Sequence, residues 1–356
     1  MSTPSKPGLP KRSVGMDRVG RAIATARQAV PIDAAIPPVV LLSVCIFLAV
    51  GTSSFTSSAN ISNVLVQASV LALVSFGLTS LLLLGELDLS VGSGVALASV
   101  VSAHVMKDSN SVVLGVLAGV ACGAAIGAVN GVVVTLLRVP SFIATLGMLE
   151  VARGIALALT NGEVVYGLPP GLAQLANGRL LGLEWPVWIA AAGFVVLYLL
   201  LKRTTFGVRV MSIGGNREAA RLSSVPVEWV RLAAFVITGI CVGVAGVIVT
   251  ARVQSGQPNT SSELALFAIA AVVVGGTSMF GGRGSISRTL WGVLLISVVQ
   301  NGLDLKGVND DLKQVVIGIV FIVAASGDFV RGRLRRSRAP QQVSELPAIN
   351  EAPLVR

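Results

Sequence analysis

Apolar runs of about twenty residues recur along the chain, parted by short stretches where glycine, proline and charged residues gather. Bilayer hydrocarbon is ~30 Å thick and a helix rises ~1.5 Å per residue, so each run has the length of a spanning helix. The pattern predicts about ten spans, at roughly 36–51, 64–84, 93–106, 112–137, 141–160, 186–201, 232–251, 264–280, 286–303 and 312–330. Backbone polar groups in hydrocarbon must bond within the protein, which leaves helices or closed barrels, and the short alternating strands of a barrel are missing. The expected fold is therefore all-α and polytopic, with a membrane domain over residues 36–330 flanked by tails at 1–35 and 331–356.

Composition supports that class. Of 356 residues 53% are hydrophobic and 12% charged, about half the charge of a soluble domain. The net charge of +10 matters less than its placement. With the N-terminus inside, 21 of the 27 Lys and Arg fall on the inner side: in both tails, at Arg138, in the 202–231 loop, and at Arg283 and Arg288. That asymmetry predicts cytoplasmic termini under the positive-inside rule. The basic residues are not interleaved with aromatics, which argues against a nucleic-acid partner and leaves the lipid bilayer as the surrounding surface. Cys45, Cys122 and Cys241 lie in separate apolar runs and His104 has no companion, so no metal, redox or hydrolytic set can be assembled. Outer loops carry Asp108, Glu163, Glu184, Glu263, Asp304, Asp310 and Asp311, either as solvated loop ends or as a docking rim.

Within the spans, small and polar residues mark contacts. Gly115, Gly119, Gly123, Gly127 and Gly131 repeat every four residues, which lines one helix face with bare backbone and predicts a tight helix contact. Gly239 and Gly243 form a shorter case, and Asn130 lies beside the first ladder, facing protein. In "LLLLGELDLSVGSGVAL", residues 81–97, Glu86 and Asp88 interrupt an apolar run between Gly85, Gly92 and Gly94. Ionisable groups at that depth are candidates for a translocation pathway; alternatively Asp88 or Ser90 caps the next helix and Glu86 reaches the interface. A second interruption, "VVVGGTSMFGGRGSIS", follows the eighth span. Glu150 and Arg153 share a helix face and are expected to form a buried ion pair rather than a substrate contact. Gln300 and Asn301 suit either a polar neutral solute or helix packing.

The long inner loop reads "KRTTFGVRVMSIGGNREAARLSSVPVEWVR". Asn216 caps a short helix through Leu222, and Pro226 discourages its continuation. Such a helix is too short to persist alone in water and is useful only when docked. From about Ile36 to Arg331 the chain resembles the permease subunits of ABC transporters for monosaccharides, the group with the bacterial ribose, xylose and arabinose permeases. The likeness rests on "LDLSVGS" at 87–93, "NGVVVTLLRVPSFIATLGMLEVARGIAL" at 130–157, "YGLP" at 166–169, "GGNREAARLSSV" at 214–225, "AIAAVVVGGTSMFGGRGS" at 268–285 and "NGLDLKGV" at 301–308. Where the family commonly has Gly-Ile-Asp before Leu-Ser, this chain has Glu86-Leu87-Asp88, so no role for Glu86 is inherited.

The resemblance implies a transport subunit, not an enzyme, in the bacterial cytoplasmic membrane. It implies an ABC ATPase subunit that binds ATP and Mg²⁺, an extracytoplasmic sugar-binding protein, and a second permease copy or a paralogue. Gly214, Gly215, Asn216, Glu218, Ala219 and Ala220 would couple to the ATPase. The chain itself lacks a phosphate loop, "GTSMFGGR" coming nearest but without the lysine, so no cofactor is expected within it. Two rivals remain at this point: a secondary transporter coupled to protons through Glu86, Asp88 or Glu150, and a passive channel.

Overall fold

The computed structural model describes residues 32–260 and 263–336. Most of the two tails therefore lies outside the described residues. Thirteen helices are present among them: α1 (Ile32–Gly51), α2 (Ser58–Leu83), α3 (Val91–Ser109), α4 (Val112–Thr135), α5 (Ser141–Thr160), α6 (Leu172–Asn177), α7 (Trp185–Arg203), α8 (Thr205–Gly215), α9 (Arg217–Leu222), α10 (Val227–Val253), α11 (Leu264–Val274), α12 (Ile286–Leu305) and α13 (Asp310–Arg336). A two-residue hairpin, β1 (Arg179–Leu180) with β2 (Leu183–Glu184), stands before α7, pairing Arg179 with Glu184. All ten predicted segments are helical. Five helices, α2, α4, α5, α7 and α10, are long and apolar enough to cross a membrane.

Several helices run past the expected ends: α2 begins at Ser58, α10 at Val227, and α13 continues to Arg336. α1 starts at Ile32, inside the expected tail. The span expected over 264–280 stops at Val274, because Gly276, Gly281 and Gly282 adopt left-handed φ of 90°, 85° and 70° that no helix accommodates.

α2 and α10 are apolar around most of their circumference and are buried along most of their lengths, so they form the centre. Phe76, Leu78, Leu81 and Leu82 of α2 meet Phe235 and Ile248 of α10 in the main core. α3 and α4 pack on α10, α11 and α12 cover the other flank of α2, and α5 rests on α3. α4, α5 and α7 bury one stripe each and are otherwise bare, as expected for helices at the rim.

The glycine ladder sets the closest contact. Every ladder glycine of α4 is buried. A Cβ on Gly123 would lie 2.3 Å from the Gly239 carbonyl oxygen and 2.4 Å from the Gly243 nitrogen, and one on Gly127 2.3 Å from the Phe235 carbonyl oxygen. The ladder and the Gly239/Gly243 pair are thus two faces of one joint between α4 and α10, while Gly115 meets Met106 and Ser102 of α3.

Candidate functional site

Three segments converge where α2 ends. Gly85 takes a φ of 74°, and the amides of Leu84 and Glu86 both fold back on the Leu81 carbonyl. The Leu83 carbonyl is left free to accept a hydrogen bond from Gly282 N–H at 2.9 Å, in the glycine-rich connection between α11 and α12. Gly214 of α8 closes the junction. A Cβ there would stand 1.8 Å from the Leu83 oxygen and 2.6 Å from the Gly282 nitrogen, so the three backbones meet only because the residue is glycine.

Beside this junction Glu86 is 4% exposed. A carboxylate so placed requires partners. Arg231 Nε donates to Glu86 Oε1 at 2.9 Å and its Nη2 lies 2.8 Å away, while Arg217 Nη2 donates to the same oxygen. Arg231 also pairs with Glu228 at 2.7 Å, Glu228 with Arg221 at 2.8 Å, and Arg221 lies 3.9 Å from Glu218. A line of alternating charge therefore runs from the buried end of α2, through the first turns of α10, to the surface of α9. Glu86 thereby ties α9 to the end of α2 through Arg217.

α9 is held as its sequence requires. Asn216 is extended, and its side chain accepts from the Ala219 N–H at 3.0 Å. Ala220 is buried under the helix, while Gly215, Glu218 and Ala219 are exposed. Leu222 and Trp229 nearby are 81% and 74% exposed, leaving an apolar patch beside the charged turn.

Asp88 and Asn130 are 3% and 1% exposed and belong to a closed cluster. Asp88 Oδ1 accepts from the Ser90 amide at 2.9 Å and the Ser90 hydroxyl at 2.6 Å, and Asn130 Nδ2 donates to Ser90 Oγ at 2.9 Å. Of the two residues expected to cap α3, Ser90 makes no side-chain capping bond, whereas Asp88 accepts the Ser90 amide at the entry to the helix. Burial raises the Asp88 carboxyl above its ordinary range, and the bonds from Ser90 and Asn130 draw it partway back.

Gln300 lies elsewhere, in the half of the bundle where α2 begins. It lines a cavity of about 420 Å³ with Gln67, Arg252, Thr260 and Phe267, and a second of about 320 Å³ that reaches Glu263, Asp304 and Lys313. Its neighbour Asn301 faces away. It is 1% exposed and exchanges two amide hydrogen bonds with Asn60, at 2.9 and 2.8 Å, which hold α12 against α2. The expected Glu150–Arg153 ion pair is not formed: both residues of α5 are exposed and neither pairs with a described residue.

Arg217, Arg231, Gln67 and Phe267 were not singled out by sequence reasoning. Arg231 carried a usable signal, a charge at the mouth of an apolar run, whereas Gln67 and Phe267 gain meaning only from the cavity they share.

Comparison with known proteins follows this geometry. The family described as "Branched-chain amino acid transport system / permease component" matches residues 60–325. The chain is 41% identical over 286 residues to the ribose import permease protein of Bacillus subtilis, covering 80% of this chain and 89% of that one. It is 36% identical over 290 residues to the L-arabinose ABC transporter permease protein of Azospirillum brasilense, covering 82% and 86%. It is 37% identical over 282 residues to the ribose import permease protein of Escherichia coli K12, covering 77% and 87%. No solved structure matches the chain significantly.

Proposed function

The chain belongs to the permease-component family of branched-chain amino acid transport systems, and from that membership we propose that it is the membrane subunit of an ABC importer for a monosaccharide. The observation that carries the reading is α9, an exposed turn anchored by ion pairs to Glu86 at the end of α2 and to Glu228 of α10. A separate ATPase subunit, which binds ATP and Mg²⁺, docks on Glu218, Ala219 and the Leu222/Trp229 patch. Residues 1–35, 331–356 and the α9 end face the cytoplasm, in keeping with the distribution of Lys and Arg. The ten helical segments cross the bilayer, and two permease subunits enclose the route.

Closure of the ATPases moves α9. Gly214 and Gly215 pass the displacement to Leu83 and Gly282 through backbone contact, and Arg217 passes it to Glu86. The unwound connections 84–90 and 275–285 then shift against α2 and α10, and the route alternates between outward and inward opening. Such a cycle needs only different affinities for the two states, not tight sugar binding by this subunit. Glu86 is committed to two guanidinium groups, which disfavours it as the proton carrier of a secondary transporter.

The deciding experiment is reconstitution in vesicles. Accumulation of ribose or arabinose against a gradient is expected only with the ATPase, MgATP and a loaded binding protein together. Uncoupler-sensitive accumulation by this chain alone would overturn the reading.

The outer cavity receives the solute from the binding protein. Its volume exceeds that of one pentose, its amides match hydroxyl groups, and Phe267 offers an apolar ring face. Gln67→Ala with Gln300→Ala is expected to lower the uptake rate about fivefold while leaving ATP hydrolysis stimulated by the loaded binding protein unchanged. Loss of both in parallel would place the two glutamines in coupling instead.

A further inference from the structure

The hairpin in front of α7 ends in a tip that is poorly suited to water. β1 and β2 pair Arg179 with Glu184 and Leu180 with Leu183, so the loop is just Leu181 and Gly182, with φ of 51° and 83°. Both values are left-handed, the mark of a type I′ turn, whose first position favours asparagine, aspartate or glycine. A leucine there is strained. Leu181 gains no packing within the chain in return: it is 85% exposed, and Leu180 beside it is 44% exposed.

The hairpin is nevertheless firmly placed. Glu184 accepts from the Ser62 hydroxyl of α2 at 3.0 Å and from Arg179 Nη2 at 3.1 Å. The Trp185 amide donates to the Gly178 carbonyl at 3.0 Å, and a Cβ on Gly178 would stand 2.7 Å from the Trp185 ring. Trp188 Nε1 donates to the Leu180 carbonyl at 3.0 Å. Trp188 lies one turn inside α7, about 4.5 Å beyond Trp185 along the axis. Its bond therefore draws the hairpin back against the flank of the helix instead of letting it stand clear.

α7 is long and apolar enough to cross a membrane, and further along it Val195, Val196 and Leu199 are bare. Its first turn then lies at the edge of the hydrocarbon, where tryptophans gather with the ring in the apolar layer and the N–H turned to a polar group. Trp185 and Trp188 occupy that position, and the leucine tip continues the apolar face of α7 beside them. The charges of the hairpin, Arg179 and Glu184, already neutralise each other, which leaves little for a charged protein partner.

We infer that the hairpin 179–184 is a lipid anchor, with Leu180 and Leu181 entering the headgroup–acyl boundary of the outer leaflet beside the first turn of α7. Removing two leucines from water offsets the strain of the turn. The anchor sets the height of α7 in the bilayer. Only Thr204 separates the inner end of α7 from α8, so a push on α9 acts against a helix pinned on the far side of the membrane. The inference rests on the reading of α7 as a membrane span, and a control within α7 tests that reading separately.

The experiment uses the full chain with Cys45, Cys122 and Cys241 replaced by alanine, in phosphatidylcholine vesicles, with a nitroxide on a single introduced cysteine. Collisions with oxygen, which concentrates in lipid, and with a water-soluble nickel chelate report where the label sits. At Leu181→Cys the oxygen-to-nickel ratio is expected to be at least about fivefold above that at Glu163→Cys, an exposed loop position, and to approach that at Val195→Cys. Equal ratios at Leu181 and Glu163, with Val195 shielded from nickel, would overturn the anchor and leave the span. Nickel contact at Val195 would overturn the span and the anchor with it. Shielding of Leu181 only after the loaded binding protein is added would make the hairpin a protein dock and reject the lipid. In a chain that keeps its native cysteines, Leu181→Trp should add emission that lipids brominated near the headgroup quench by about half; no quenching beyond that of the unsubstituted chain would equally overturn the anchor. Asparagine suits the first position of a type I′ turn, so Leu181→Asn keeps the hairpin. In that background the ratio at Leu180→Cys is expected to fall about threefold, and an unchanged ratio would reject Leu181 as the anchoring residue.

Discussion

Replacing Glu86 with alanine is expected to abolish ATP-driven uptake and to lower stability by about 3 kcal/mol, because it leaves the Arg231 guanidinium, 9% exposed, in the interior with Glu228 as its remaining partner. The three residues of the link should separate the two effects. Arg217 is 43% exposed, so when Arg217→Ala breaks its pair the stability loss should stay below about 1 kcal/mol. If α9 drives the bundle through this pair, the same change should still raise the ATP hydrolysed per sugar transported about tenfold. Glu86→Met with Arg231→Met replaces the buried charges by apolar groups of similar length, which typically restores stability. It should not restore coupling. Thermal unfolding in detergent and the ratio of hydrolysis to uptake in vesicles read the two quantities independently. Wild-type coupling in Arg217→Ala would confine the network to a structural role.

The link shows how far the sequence could be read. That Glu86 was anomalous followed from four preceding leucines and one physical fact, the cost of burying charge. Its partners did not follow, since Arg217 and Arg231 lie 131 and 145 residues away, and the charge at the mouth of α10 marks Arg231 without saying what it pairs with. Asn301 is similar: its amide was recognisable as polar within an apolar run, but Asn60, 241 residues distant, decides that it packs helices. The spans were legible because bilayer thickness dictates run length independently of tertiary contacts. The end of α11 was legible only in part: the glycine-rich interruption was recognisable, but the expected span ran to 280, and the left-handed glycines and the Gly282–Leu83 hydrogen bond set where the chain leaves the helix. Glu150 and Arg153 mark the limit of helical spacing. Three residues apart put them on one side of α5, and spacing says nothing about whether that side is covered.

The α4–α10 joint carries the other large expected effect. Gly123→Ala should reduce the folded protein recovered from membranes about tenfold, whereas Gly131→Ala should change it less than twofold. The same chemistry in the same helix thus gives two outcomes, and the reason is what each new methyl would meet. At Gly131 the nearest atoms are Leu232 Cα and Phe235 Cβ, both 3.3 Å away, so a few tenths of an ångström of give suffices. At Gly123 all three nearest atoms are backbone of Gly239 and Gly243, at 2.3 to 2.6 Å, and no side chain can swing aside. Relief requires the two helices to separate along the joint. Membrane assembly has little hydrophobic driving force between helices to oppose such a separation, because lipid tails are as apolar as the side chains they replace. Gly239→Ala should reproduce the loss, since its Cβ would lie 2.3 Å from the Gly123 oxygen. Equal recovery of the Gly123 and Gly131 variants would mean that α4 and α10 do not touch through bare backbone.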